Sequence, residues 1–285
     1  MKKIRYLAEY IIVSVLFILF KFIGYKNSSN FGAIIGKVFG PYIRSKNIIK
    51  KNLEYAGIKE ETKQKNITKR MWKNYGRIFA EYAFLKKFKT NEYSNYISIE
   101  GKEHLSDIIS KTKKAVFVSG HFNNFELMAL QLENLGVDLA AIYRPLNNTF
   151  LNKNIEEIRL NYICKKQIKK GKIETRKVIE NLKNGTSIAL MIDQRVSEGK
   201  KIEFFHKPAL TTTIPAQLIN KYQCLLVPIY IERYDNCFFK MKIYKPLEFE
   251  KSSSVEKISK TINDILEKMI MKNPSQWIWS HNRWK

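Results

Sequence analysis

Apolar residues crowd the first two dozen positions of the chain. A run from Tyr10 to Phe20 extends to Leu7 and Ile23 by accepting Glu9 and Lys21, which is marginal for a bilayer span of about 20 residues. Lys2, Lys3 and Arg5 precede it, and no cleavage site of the A-x-A kind follows. The run therefore reads as an uncleaved anchor, either spanning the membrane or lying in its interface. From Phe31 to Tyr55, Phe, Ile and Val alternate with Gly32, Gly36, Gly40 and Pro41, and then come Arg44, Lys46, Lys50 and Lys51. That mixture suits an amphipathic segment on a membrane surface, or a core helix with a solvated basic edge. Ile67, Met71, Tyr75, Ile78, Phe79 and Tyr82 recur near helical spacing, so Thr62 to Phe88 is expected to be one long helix with a core-facing aromatic stripe.

Beyond Asn95 the period changes. Strands are expected at Tyr96–Glu100, Ala115–Ser119, Leu139–Tyr143, Ser187–Ile192, Leu225–Glu232 and Phe238–Tyr244, the last two antiparallel through Tyr234 to Cys237. Helices are expected near Leu105–Ser110, from Phe125 to Leu132, at Asn152–Tyr162, and at Glu174–Asn184 closed by Gly185. Such alternation predicts an α/β fold, a mixed β-sheet flanked by helices. No Pro/Gly/Ser-rich linker divides the chain, so the expected organisation is a membrane anchor over residues 1–24 and one catalytic domain over 25–285.

Three of the strand ends carry polar residues: His121 after one, Arg144 after the next, Asp193-Gln194 after a later one. In open α/β sheets ligands bind beyond the carboxyl ends of the strands, so these segments are expected to share a cleft. His121 and Glu126 straddle a strand-to-helix junction at which Asn123 or Asn124 is the expected helix cap. On one continuous helix they would point about 140° apart, so they meet only across a bend. There the carboxylate would hold one imidazole nitrogen and leave the other as a base; otherwise the pair is a helix-capping His and a Glu favoured by the helix N-terminus. No G-x-S-x-G elbow supplies a protein nucleophile, and Ser119 stands in S-G-H. A substrate hydroxyl is then the group to be deprotonated.

The stretch H-F-N-N-F-E has the H-x4-E form of glycerolipid acyltransferases, and S-G-H-F-N-N-F-E-L resembles that motif in the late, lauroyl- and myristoyl-type acyltransferases of lipid A biosynthesis. Further blocks match in order: Tyr143-Arg144-Pro145 with Asn147, Arg159, Asp193-Gln194, Phe204-Phe205 followed by Pro208, Ala209 and Thr211, Val227-Pro228, and the ending from Pro274 to Lys285. The resemblance implies a glycerolipid-acyltransferase-like fold. It also implies a bacterial inner-membrane enzyme, with its site facing the cytoplasm, that moves an acyl chain from acyl carrier protein to a lipid A precursor. It makes His121 and Glu126 the catalytic pair. Arg144 becomes a cleft cation for a phosphate or a developing thioester charge, Arg159 a second cation, and Asp193 and Gln194 cleft residues. Phe204, Phe205, Pro208 and Ala209 are either an apolar rim for an acyl chain or core. The terminal tryptophans anchor at an interface or pack as a terminal helix, and His281 is structural.

Charge narrows the partners. Lys plus Arg number 51 against 26 Asp plus Glu, a formal excess of 25, which favours an anionic membrane, an acidic protein or nucleic acid. A coding sequence poor in G and C also enriches Lys, Asn and Ile. No nucleic-acid recognition motif is found, and the apolar N-terminus fits a membrane surface, so no nucleic-acid partner is expected. Cys164, Cys224 and Cys237 lack C-x-x-C spacing, and neither a metal-ligand cluster nor a nucleotide loop occurs, so no metal and no cofactor are expected. The other open readings are an acyl-CoA-dependent acyltransferase acting on another glycolipid or phospholipid, and a non-catalytic basic membrane-associated protein.

Overall fold

The apolar N-terminal run is a single helix, α1 (Lys2–Ile23), in the computed structural model, which describes residues 2–171 and 174–285. Met1, the first residue of the expected anchor, lies outside the described residues. Gly24, at φ 81°, separates α1 from α2 (Tyr25–Ile43). After α3 (Lys46–Tyr55), α4 (Glu61–Glu81) returns along α2. The glycines of α2 face α4 at backbone contact: a methyl group on Gly36 would sit 2.1 Å from the Trp72 carbonyl oxygen, and one on Gly76 of α4 1.9 Å from that of Gly32. The long helix expected to Phe88 breaks early. A 3-10 turn at Tyr82–Phe84 intervenes before α5 (Leu85–Lys89), and the Tyr82 side chain leaves the stripe to meet Glu126.

The sheet then builds through β1 (Ile97–Glu100), α6 (Ser106–Ile109), β2 (Ala115–Ser119), α7 (Glu126–Asn134), β3 (Leu139–Tyr143), α8 (Thr149–Tyr162), β4 (Lys166–Lys169), α9 (Thr175–Lys183) and β5 (Ser187–Met191). A hairpin of β6 (Lys200–Phe204) and β7 (Lys207–Thr211) follows, then α10 (Ile214–Tyr222), β8 (Leu225–Tyr234), β9 (Phe238–Ile243) and α11 (Val255–Lys272). Seven strands form one sheet in the order β1-β9-β8-β2-β5-β3-β4. Only β8 and β9 pair antiparallel; the other neighbours are parallel. The expected mixed sheet flanked by helices is therefore the architecture, including the antiparallel β8–β9 pair. All five residues of β2 are buried, as expected of a central parallel strand covered on both faces.

Two open choices resolve toward packing. Phe204 and Phe205 are 0% and 6% exposed, and the Phe204 ring stacks on Trp284 at 5.4 Å, so the pair is core and not a rim. Trp277 and Trp279 are 1% and 0% exposed and meet edge to face at 4.7 Å. The chain end is thus packed inside the protein, though as a 3-10 turn and loop and not as a terminal helix.

Candidate active site

Register builds the centre of the site. In the parallel pair β2 and β5, Ser119 lies opposite Met191, and the Ile192 N–H donates to the Ser119 carbonyl at 2.9 Å. Two residues on from each, His121 and Asp193 face one another across the ends of the strands. The Asp193 carboxylate takes the His121 backbone N–H at 2.7 Å, His121 Nδ1 at 2.7 Å and Trp277 Nε1–H at 2.9 Å. A carboxylate only accepts, so Nδ1 carries the proton and Nε2 is left with its lone pair. Nε2 makes no hydrogen bond among the described residues, and the imidazole is 21% exposed over a wholly buried Asp193. Gly120 permits this approach, since a methyl group there would press on Leu266, Phe122 and Asp193 Oδ2 at 3.0 to 3.2 Å.

Burial disfavours the charged imidazole, but the charge of Asp193 and its hydrogen bond outweigh burial and raise the His121 pKa. For Asp193 burial acts upward, and the His121 charge with the three bonds outweighs it, holding the carboxyl below its usual range.

The expectation that Glu126 orients the imidazole is corrected: Asp193 occupies that position. Glu126 is the first residue of α7, and its Oε1 accepts Arg159 Nε–H at 3.0 Å, Arg159 Nη2–H at 2.6 Å and the Tyr82 hydroxyl. The turn explains the divergence. Asn123 adopts a left-handed φ of 44°, and its side chain donates to the Ile231 carbonyl and Gln276 Oε1, while Asn124 donates to the buried Glu81. Neither asparagine caps α7, whose N-cap is Phe125. The helix start is thereby set by tertiary anchors.

Arg159, on α8, lies over the Tyr143 ring at 5.5 Å, and its Nη1 is buried with no hydrogen-bond partner among the described residues. Burial works against its charge, but Glu126 overrides this and raises the pKa. Burial, then the Glu126 charge, keeps Tyr82 a neutral phenol. Arg144 leaves β3 at the same sheet edge, exposed and in no ion pair among the described residues. Gln194, half-buried beside Asp193, makes no side-chain hydrogen bond among the described residues. The six expected site residues thus fall into a His121–Asp193 pair, a Glu126–Arg159 pair, and two unengaged side chains. The sequence does not signal Tyr82 or Trp277 as site residues, because each stands in an aromatic run of the kind that packs in a core.

The sequence model described as bacterial lipid A biosynthesis acyltransferase matches residues 1–285. The chain belongs to that family. Among curated relatives, the lipid A biosynthesis palmitoleoyltransferase of Escherichia coli is 24% identical over 265 residues, 89% of this chain and 83% of that protein. The lipid A biosynthesis lauroyltransferase of the same organism is 23% identical over 267 residues, 89% and 84% of the two chains. The 1-acyl-sn-glycerophosphate acyltransferase PlsC of Thermotoga maritima resembles the chain with a TM-score of 0.44 and 16% identity, over 98% of this chain and 100% of that one. By family the protein is an acyltransferase, and it carries a base-competent imidazole at the carboxyl ends of its strands. Two surface crevices, of about 350 and 280 Å³, have linings that include none of the six expected site residues; the dyad's chemistry, and not the larger hollow, marks the candidate site.

Proposed function

We propose that this acyltransferase moves a fatty acyl chain from acyl carrier protein onto a hydroxyl of a lipid A precursor, at the cytoplasmic face of a bacterial inner membrane. The observation that carries this reading is the unengaged Nε2 of His121 above a buried Asp193. The names of the relatives, which specify lauroyl and palmitoleoyl transfer in lipid A biosynthesis, support the acceptor class. The formal charge of +25 suits an acidic donor protein and a phosphorylated acceptor.

In this mechanism Nε2 takes the acceptor hydroxyl's proton as its oxygen attacks the thioester carbonyl carbon. A C–O bond forms, the carbonyl electrons move onto oxygen, and their return breaks the C–S bond. The departing thiolate takes the proton back from the imidazolium. Asp193 holds the Nδ1–H tautomer and offsets the imidazolium charge. Arg144 is assigned to an anionic group of the substrate, and Arg159, its guanidinium positioned by Glu126, is the second cation of the cleft. Gln194 lines the wall beside the dyad. The exposed apolar sides of α1 and α2 hold the enzyme at the bilayer.

The test incubates full-length protein with a lipid A precursor and either acyl carrier protein or coenzyme A bearing the same acyl group, and follows the lipid by mass spectrometry. The expected result is a one-acyl mass gain with the carrier-protein donor that His121→Ala abolishes. Equal efficiency with coenzyme A would overturn the donor assignment, and no gain with either donor would sink the reading.

A further inference from the structure

A second polar site lies behind the catalytic turn. The crevice of about 350 Å³ is walled by α4, the turn between β8 and β9, and the loop through Asn273 and Gln276. Arg70, Lys73 and Arg77 enter it from α4, three and four residues apart and so on one face. None of the three forms an ion pair among the described residues. Arg77 is fixed by neutral oxygens only, donating through Nη1 to Ser29 Oγ at 3.1 Å and Asn30 Oδ1 at 2.8 Å, and through Nη2 to Asn236 Oδ1 at 2.8 Å. The nearby buried carboxylate, Glu81, is already matched by Arg233 Nη2 at 2.9 Å. Among the described residues Asp235 is the one carboxylate in the lining; it is exposed, forms no ion pair there, and leaves the crevice with a cationic excess.

The surroundings say what kind of anion fits. Asn30, which holds Arg77, precedes Phe31 and lies one turn before Ile34 on α2, whose outer side exposes Ile34 at 58% and Val38 at 50%. A cationic crevice thus opens at the border of an unpartnered apolar helix face, which suits an amphiphile with a phosphate head and hydrocarbon tails. Guanidinium forks and an ammonium are the donors that phosphate oxygens favour. We propose that this crevice is a headgroup site for a phosphate-bearing membrane lipid, separate from the His121 centre. It rests on the membrane attachment proposed above. It also abuts the catalytic turn, because Gln276 at its floor accepts the Asn123 N–H at 3.2 Å and Asn123 Nδ2–H at 2.5 Å.

The experiment measures binding of the full chain to phosphatidylcholine vesicles with and without one-fifth phosphatidic acid. Arg70→Gln/Lys73→Gln removes two exposed cations of the crevice, and Lys201→Gln/Lys251→Gln removes two exposed cations elsewhere. The anionic lipid is expected to tighten binding of the parent and the control, and the crevice variant to lose that gain on the order of 10-fold. Equal losses in both variants would overturn the site in favour of diffuse charge. Thermal stabilisation of the parent, but not of the crevice variant, by inorganic phosphate without vesicles, together with undiminished phosphatidic acid binding by that variant, would reassign the crevice to free phosphate. Binding to neutral vesicles reads the apolar anchor alone, so failure of the attachment shows separately.

Discussion

A carboxylate under an imidazole raises the base's pKa while fixing its tautomer, and the two effects can be told apart at His121. Its raised pKa means that the neutral, proton-accepting form accumulates only above the ordinary histidine value of about 6.5. The expected kcat/KM therefore climbs with pH through that shifted value. Asp193→Asn should move the inflection downward and lower turnover on the order of 10²- to 10⁴-fold, by analogy with tautomer loss in protease triads. A pH profile for the Asn variant that overlays the parent would exclude the role. Stability runs the other way: the raised His121 pKa gives a contribution complete below the unfolded imidazole pKa and lost as pH rises through the folded one. Asp193, whose pKa is lowered, contributes above the unfolded carboxylate value and loses that as pH falls through its folded value. Glu126→Gln should behave differently, lowering the inflection less than Asp193→Asn does, because its charge acts on His121 more weakly and without a hydrogen bond, while stranding Arg159 at a cost of about 3–5 kcal/mol for breaking a buried pair. A pH profile shifted as far as that of Asp193→Asn, with unchanged melting, would restore Glu126 as the orienting group. Asp193 was legible as a cleft residue but not as His121's partner. The two stand 72 positions apart, and only the β2–β5 register joins them.

At the scale of elements, the close approach of α2 and α4 lets Ser29 of α2 donate to Glu81 of α4, the carboxylate that also receives Arg233 and Asn124 behind the turn. Gly36→Ala gains up to about 1 kcal/mol in intrinsic helix propensity, but its methyl group would meet the Trp72 carbonyl oxygen at 2.1 Å. Backbone on the far side cannot rotate away, so the clash prevails. Overpacking of about 1–3 kcal/mol or more is expected, seen as a melting temperature several degrees lower; an unchanged or higher value would mean that the two helices separate freely. The glycine spacing was visible in the sequence, but the partner helix was not. The central strands and the β8–β9 pair announced themselves by apolar runs and turn residues. Strand β4, Lys-Gln-Ile-Lys, did not, because an edge strand buries only Ile168. The β6–β7 hairpin and its cover by α11 were missed because Phe204 and Phe205 owe their burial to tryptophans some 70 to 80 positions later and not to a local pattern.

Over the whole molecule, α1 has two sides with different tasks. Phe20 is wholly buried, the Tyr10 ring lies tilted against Phe150 at 6.2 Å, and Asn148, which caps α8, donates to the Tyr6 carbonyl and to Glu9 at 2.9 Å each. Glu9, an interruption in the apolar run, is thus a docking group that seats α1 on the helix carrying Arg159. The other side exposes Ile11, Val15, Ile18 and Phe22 at 52, 59, 69 and 88%, a stripe at helical spacing. Removing residues 1–24 would disturb both sides at once and so confuse anchoring with folding. Ile11→Ser/Ile18→Ser/Phe22→Ser addresses the outer side alone. Each such side chain is worth about 1.5–3 kcal/mol when moved from water to an apolar phase, so partition into neutral vesicles should fall on the order of 100-fold or more. Melting temperature and turnover in detergent should stay near the parent values, because none of the three side chains packs on the domain. Unaltered vesicle binding by the triple variant would mean that α2 suffices to hold the enzyme at the membrane. A lowered melting temperature would mean instead that the outer side of α1 is covered by protein and not by lipid.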